Sequence, residues 1–149
     1  MFVLLHQLQR QRRRIDLPHP ERRGSLALRH VDAGSCNACE HELTATTGPH
    51  YDLERHGLQI VASPRHADVL LVTGTITTSM AGALRAAYDA MPEPRLVAAL
   101  GDCALGRNRL GNPAEHAPPL DRILPVHLRI PGCPPTPGTI AEQLLSLLA

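Results

Sequence analysis

Residues 68–74, D-V-L-L-V-T-G, contain an unbroken apolar run that predicts a strand at 68–72, closed by Thr73 and Gly74. A short run of this kind predicts a strand that is buried on both faces of a sheet. A second run, L-V-A-A-L at 96–100, predicts another such strand and leads directly into Gly101, Asp102 and Cys103. Strands buried on both faces are typical of parallel sheets that helices cover, so these two runs point to an α/β fold.

Strands and helices alternate through most of the remaining chain. Further strands are predicted at 25–31, 58–61 and 122–130, and helices at 38–47, 77–90 and 139–148, the last with Thr136 or Pro137 at its start. Pro125 interrupts the last strand, which is therefore expected to be short or to lie at a sheet edge. The alternation predicts a mostly parallel sheet, and ligands of such sheets bind beyond the carboxyl ends of the strands.

The composition limits the class of protein. A chain of 149 residues fits one domain, and its core must be aliphatic because it has no Trp, one Phe and two Tyr. The formal net charge of +1 gives no footprint of a nucleic-acid-binding protein. The longest apolar run is far shorter than the roughly 20 residues of a transmembrane helix.

The first residues differ from the rest, and we predict a basic N-terminal extension at 1–24 before a domain at 25–149. Seven arginines fall within the first thirty residues. This segment either binds an anionic membrane surface or a partner subunit, or is a disordered basic tail. The apolar start at 1–5 is too short for the core of a signal peptide, so we expect a cytoplasmic protein.

Four cysteines are the candidate site residues: Cys36 and Cys39 in D-A-G-S-C-N-A-C-E, then Cys103 and Cys133. Cys36, Cys103 and Cys133 each follow a predicted strand, which places them at the carboxyl edge of the sheet. Disulfides are rare in the cytoplasm, where grouped cysteines more often bind metal. Four cysteines with one Cys-x-x-Cys are typical of an iron–sulfur site.

Three other interpretations of the cysteines remain open at this point. A structural zinc site also uses four cysteines, although usually as two Cys-x-x-Cys pairs, and it would make the chain a zinc-stapled interaction module without a redox role. A thioredoxin-like redox pair is the second alternative. Unliganded buried cysteines are the third.

Two other pairs of residues are candidates for roles near the cysteines. Glu40 and Glu42 either carry protons that accompany electron transfer or stabilise a helix start from solvent. Arg65 and His66 are predicted to follow a strand at the same edge, where His66 would tune a redox centre or belong to a plain surface.

The chain resembles the small electron-transfer subunit shared by respiratory NADH–quinone oxidoreductase, as its B or 20-kDa subunit, and by membrane-bound [NiFe] hydrogenases of the formate hydrogenlyase type. The motifs that carry the resemblance occur in family order and cover nearly everything from residue 25 onward. They are D-A-G-S-C-N-A-C-E at 32–40, S-P-R-H-A-D-V-L-L-V-T-G-T-I-T at 63–77, A-L-R-A-A-Y-D-A-M-P-E-P-R at 83–95, G-D-C-A at 101–104 and R-I-L-P-V-H-L-R-I-P-G-C-P-P-T-P at 122–137.

The resemblance implies a flavodoxin-like three-layer fold with one [4Fe-4S] cluster at the carboxyl-end rim of the strands. Its implied ligands are Cys36, Cys39, Cys103 and Cys133. It also implies an oxidoreductase subunit without a catalytic centre of its own. The implied partners are a large [NiFe]-hydrogenase-like or 49-kDa-like subunit, a ferredoxin-like two-cluster subunit and membrane subunits. The complex would lie on the cytoplasmic side of the inner membrane.

Two features favour the hydrogenase branch of this family. The respiratory subunit typically has two adjacent cysteines where this chain has Cys36-x-x-Cys39. It also has an aromatic-rich loop after the third cysteine, whereas 104–119 contains no aromatic residue. The M-P-E-P-R sequence at 91–95 is closer to the respiratory pattern, so passage of electrons to quinone remains the alternative.

Overall fold

The computed structural model describes residues 24–108 and 110–148. The predicted basic extension at 1–24 lies outside the described residues, apart from Gly24.

The domain is built on five parallel strands. They are β1 (Leu26–Asp32), β2 (Leu58–Ile60), β3 (Val69–Thr73), β4 (Leu96–Leu100) and β5 (Leu128–Ile130). Their order across the sheet is β2-β1-β3-β4-β5, and every neighbouring pair is parallel. This is the strand order of flavodoxin-like sheets, so the predicted fold class is confirmed.

The central strand β3 faces two separate cores. Val69 and Leu71 belong to one core and Leu70 and Val72 to the other, and all four are fully buried. Successive side chains of a strand point to opposite faces, so a strand covered on both sides must be apolar at every position. The apolar run at 69–72 reflects this double burial.

Helices cover both faces of the sheet and complete three layers. They are α1 (Ala38–Thr47), α2 (Thr78–Asp89), α3 (Leu120–Ile123) and α4 (Pro137–Leu145). Leu43 of α1 and Ile140 of α4 pack into the core that contains Val69 and Leu71. Leu84 of α2 and Leu120 of α3 pack into the core on the other face. None of the helices within 24–108 and 110–148 has the length and apolar character needed to cross a membrane.

The segment at 122–130 differs from its predicted extended conformation. The turn of helix α3 occupies its first residues, and strand β5 begins only at Leu128. Pro125 disfavours helical geometry at the residue before it, and the helix does end at Ile123, with Leu124 extended. The strand is short and at the sheet edge, as Pro125 suggested. The final helix begins at Pro137 with Thr136 as its N-cap, which confirms the predicted start; the Thr136 hydroxyl accepts a hydrogen bond from Thr139 N–H at 3.3 Å.

Candidate functional site at the carboxyl edge of the sheet

The loops that follow β1, β4 and β5 meet around one recess at the carboxyl edge of the sheet. We call it the cysteine recess; it encloses about 280 Å³ of empty space, part of it open to solvent. Its lining comprises Ser35, Cys36, Ala38, Cys39, Gly74, Asp102, Cys103, Gly132, Cys133 and Pro134. The structure thus brings all four candidate cysteines together, and all four are free thiols. Their role as ligands stays a prediction.

The loop after β1 is fixed by a carboxylate. One Asp32 oxygen, Oδ1, accepts hydrogen bonds from Gly34 N–H and Ser35 N–H, each at 2.8 Å. Side-chain oxygens of Asp and Ser commonly close turns in this way. The turn delivers Cys36 to the recess, and Cys39 follows in the first turn of α1.

The loops after β4 and β5 are held to each other by Asp102. Its backbone N–H donates to Gly132 O at 2.9 Å, and its carboxylate Oδ1 accepts from Gly132 N–H at 3.2 Å. Cys103 and Cys133 each follow one member of this pair. The contact between Asp102 and Gly132 therefore positions both Cys103 and Cys133, the two cysteines that are far from Cys36 in sequence.

Neighbouring thiols contribute to raised pKa values at two cysteines of the recess, Cys39 and Cys103. Burial is the largest effect on Cys39, followed by the charges of Glu40 and of the other three cysteines, and together they raise its pKa to about 12. Burial, then Cys133, also raises the pKa of Cys103. Thiolates in this recess thus need positive charge to balance them. Iron bound by the sulfurs would supply that charge, so the donor set fits an iron–sulfur cluster.

The recess opens to the surface along one side. Cys36 and Cys133 are exposed, Cys39 is half-buried and Cys103 is buried. Within the described residues, no three His, Cys, Asp or Glu side chains gather around a position for a single metal ion. A zinc site would require four ligand atoms within about 2.0–2.3 Å of one ion.

Glu40 and the Arg65–His66 pair lie in different parts of the fold. Both carboxylate oxygens of Glu40 are shielded from solvent, and Oε1 lies 3.7 Å from His30 Nε2. Its role in carrying protons remains a prediction. Arg65 and His66 form a turn that precedes β3. The chain on either side of this turn bonds to Ala27 and Leu28, in the amino half of β1. The prediction that they lie at the carboxyl edge is therefore wrong, because β2 ends at Ile60 and β3 begins at Val69, both in register with Leu28 of β1.

Two residues that sequence analysis did not single out reach the sulfurs. Asn108 Nδ2 donates a hydrogen bond to Cys133 Sγ at 3.5 Å. Thr75 hydrogen-bonds to Cys103, which lowers the pKa of that thiol against the larger effect of burial. Asn108 is 25 residues from Cys133 in a Gly- and Pro-rich loop, and no local pattern links the two.

Comparisons with known proteins bear on this arrangement. The sequence profile of a family described as NADH ubiquinone oxidoreductase, 20 Kd subunit, matches residues 36–147. A Pyrococcus furiosus protein named as probable membrane-bound hydrogenase subunit mbhJ is 45% identical over 119 residues, 80% of this chain and 71% of that protein.

Solved structures of two complexes contain chains with a similar fold. A chain of the membrane-bound sulfane sulfur reductase, an archaeal respiratory membrane complex, has a TM-score of 0.70 and 28% identity, with 85% of this chain and 71% of that chain covered. A chain of an NAD+-reducing [NiFe]-hydrogenase has a TM-score of 0.62 and 20% identity, with 83% and 91% covered. At that identity the second likeness concerns the fold alone.

Proposed function

Because the chain belongs to the family of the 20-kDa subunit of NADH ubiquinone oxidoreductase, a family of oxidoreductase subunits, we propose that it carries electrons through one [4Fe-4S] cluster bound by its four cysteines. The complex we assign it to is a membrane-associated [NiFe] hydrogenase. The assignment of that complex to the formate hydrogenlyase type rests on the sequence resemblance.

The observation that carries this proposal is the meeting of the four cysteines in one recess. They come from three segments that are far apart in sequence, and all are free. Four thiolate ligands are what a [4Fe-4S] cluster uses. Burial, and after it the neighbouring thiols, raise the pKa values of Cys39 and Cys103; this supports the proposal because a bound cluster would supply the positive charge that thiolates need there.

When bound, the cluster supplies a carrier that accepts and gives up single electrons. The residues of this chain hold and shield it. Asp102 ties together the loops that bear Cys103 and Cys133. Ala38 and Pro134 present apolar groups to the recess, and apolar surroundings limit water and thereby affect a redox potential.

The open side of the recess supports a partner subunit at this edge. Cys36 and Cys133 are exposed, so a cluster on these sulfurs would lie at the surface of the isolated chain. We propose that the large [NiFe]-hydrogenase-like subunit covers it and that a ferredoxin-like two-cluster subunit continues the electron path. Membrane subunits of the same complex would hold the chain peripherally on the cytoplasmic side. The relative from Pyrococcus furiosus, named as a membrane-bound hydrogenase subunit, favours the hydrogenase over the quinone-reducing alternative.

Anaerobic purification of the affinity-tagged full chain from membranes of its own host tests the assignment. We expect a larger subunit to co-purify with nickel, and the complex to show hydrogenase activity with an artificial dye. A complex that has a large subunit, lacks nickel and reduces quinone would establish the NADH–quinone oxidoreductase alternative. One zinc per chain without acid-labile sulfide would establish the zinc module and exclude both.

A further inference from the structure

The loop at 104–119 is fastened beside the cysteine recess through the segment that follows β3. Leu110 N–H donates to Thr75 Oγ1 at 3.0 Å, and Ala117 N–H donates to Ile76 O at 2.9 Å. Thr77 and His116 form an isolated antiparallel bridge between the same two segments. Thr75 and Ile76 are buried, so the loop is attached to the core of the domain.

The start of this loop places Asn108 against a ligand sulfur. The backbone N–H groups of Arg107 and Asn108 donate to Asp102 O at 2.9 and 3.2 Å, which fixes the main chain beside the recess. The side-chain amide then reaches Cys133 Sγ, with Nδ2 3.5 Å away. A deprotonated ligand sulfur can only accept a hydrogen bond, so the NH₂ group and not the amide oxygen must face it.

A hydrogen bond to a ligand sulfur has a definite effect on a redox centre. Reduction adds one negative charge to the cluster and its sulfurs, and a donor stabilises that charge more than it stabilises the oxidised form. Hydrogen bonds to the sulfurs are among the factors that set the reduction potential of iron–sulfur clusters. Donors to the sulfurs thus raise the potential.

We propose that Asn108 is a tuning residue, which donates a hydrogen bond to the Cys133 sulfur and raises the reduction potential of the cluster held in the recess. This inference rests on the proposed function, because it requires the cluster. The 104–119 loop, which carries Asn108, thereby helps to set the reduction potential of the cluster from the exposed side of the recess.

The test is an EPR-monitored redox titration of the full chain in its purified complex, with dithionite as the reductant. In Asn108→Leu we expect the ratio of reduced to oxidised cluster, at the wild-type midpoint, to fall roughly three- to tenfold; tenfold is about 59 mV for a one-electron couple. Asn108→Asp keeps the size of the side chain and replaces the donor by an anion, so its midpoint should fall at least as far.

Asn112→Leu is the matched control. Asn112 lies in the same loop, and its side chain accepts from Ala114 N–H at 3.1 Å within the loop itself, so its loss should leave the midpoint unchanged. An unchanged midpoint in Asn108→Leu, or an equal shift in Asn112→Leu, would overturn the inference while the wild-type signal upholds the cluster. If Asn108→Leu fails to retain the cluster, Asn108→Asp is the test: a lowered midpoint supports the inference, and an unchanged midpoint overturns it. A wild-type complex without a cluster signal would instead overturn the proposed function together with this inference.

Discussion

Cys39 Sγ occupies the space beside Gly101 that a side chain would need. A β-carbon added to Gly101 would come within 2.5 Å of that sulfur. Gly101 also has a φ of +88°, in the left-handed region that favours glycine. Gly101, which directly follows β4, therefore sets the room for a candidate ligand that follows β1, and this explains why a glycine stands there.

Substitution of Gly101 by alanine should displace Cys39 and weaken the site. We expect Gly101→Ala to lose at least half of the iron and sulfide per chain, and to lower the free energy of unfolding by about 1–2 kcal/mol from the backbone alone. Iron and sulfide analysis and urea denaturation measure the two effects. Gly82→Ala is the control: its β-carbon would meet no atom within 4 Å. Because Gly82 lies inside α2, alanine should stabilise by roughly 0.5–1 kcal/mol. Full iron content in Gly101→Ala would contradict the expectation.

The ring of His127, which directly precedes β5, accepts a backbone hydrogen bond from β4. Val97 N–H, in a fully buried residue of β4, donates to His127 Nδ1 at 3.0 Å, while His127 N–H donates to Val97 O at 2.9 Å. His127→Leu leaves the Val97 N–H without an acceptor, which should cost about 1–3 kcal/mol of unfolding free energy. His127→Asn keeps an acceptor at the δ position and should recover most of it in the same urea titration. Equal loss in both variants would assign the effect to packing instead.

His30 should make the stability depend on pH. Burial lowers its pKa below the ordinary 6.5, against the attraction of the Glu40 and Asp32 carboxylates, and Arg29 lowers it further. Its Nε2 also lies 2.9 Å from Thr73 Oγ1. Between the lowered pKa and 6.5 the unfolded chain binds more protons, so the contribution of His30 is complete above 6.5 and falls as the pH drops through this window.

Urea denaturation at several pH values from 7.5 downward measures this dependence. The difference in unfolding free energy between wild type and His30→Gln should shrink as the pH falls, because glutamine does not titrate. A difference that stays constant with pH, or grows as the pH falls, would contradict the lowered pKa.

The parts of the fold that sequence reasoning recovered are those fixed by local apolar runs. Strand β4 was predicted at its observed bounds and β3 within one residue, because both are buried on two faces and contain no polar interruption. The edge placement of β5 followed from Pro125. The helical turn at Leu120–Ile123 was missed because four residues are too few to show a helical period.

The candidate site, like the fold, could be predicted from the sequence only in part. The meeting of the cysteines could be predicted because three of them follow strands of a parallel sheet, and the carboxyl ends of such strands share one edge. The contact between Asn108 and Cys133 could not, because it depends on how a loop without regular structure crosses the recess. The position of His66 was predicted wrongly because β2 has only three residues and ends level with the start of β3, and the sequence does not show how far along β1 a short strand reaches.

The central claim is that Cys36, Cys39, Cys103 and Cys133 together bind one [4Fe-4S] cluster. Low-temperature EPR with iron and sulfide analysis, on anaerobically purified full-length protein before and after dithionite, tests it most directly. We expect about four irons and four sulfides per chain, as a single [4Fe-4S] cluster requires, and a signal that appears on reduction. Each of the four Cys→Ser variants should lose this signal. One zinc per chain without sulfide, or a cluster that survives the loss of Cys103 or Cys133 unchanged, would contradict the claim.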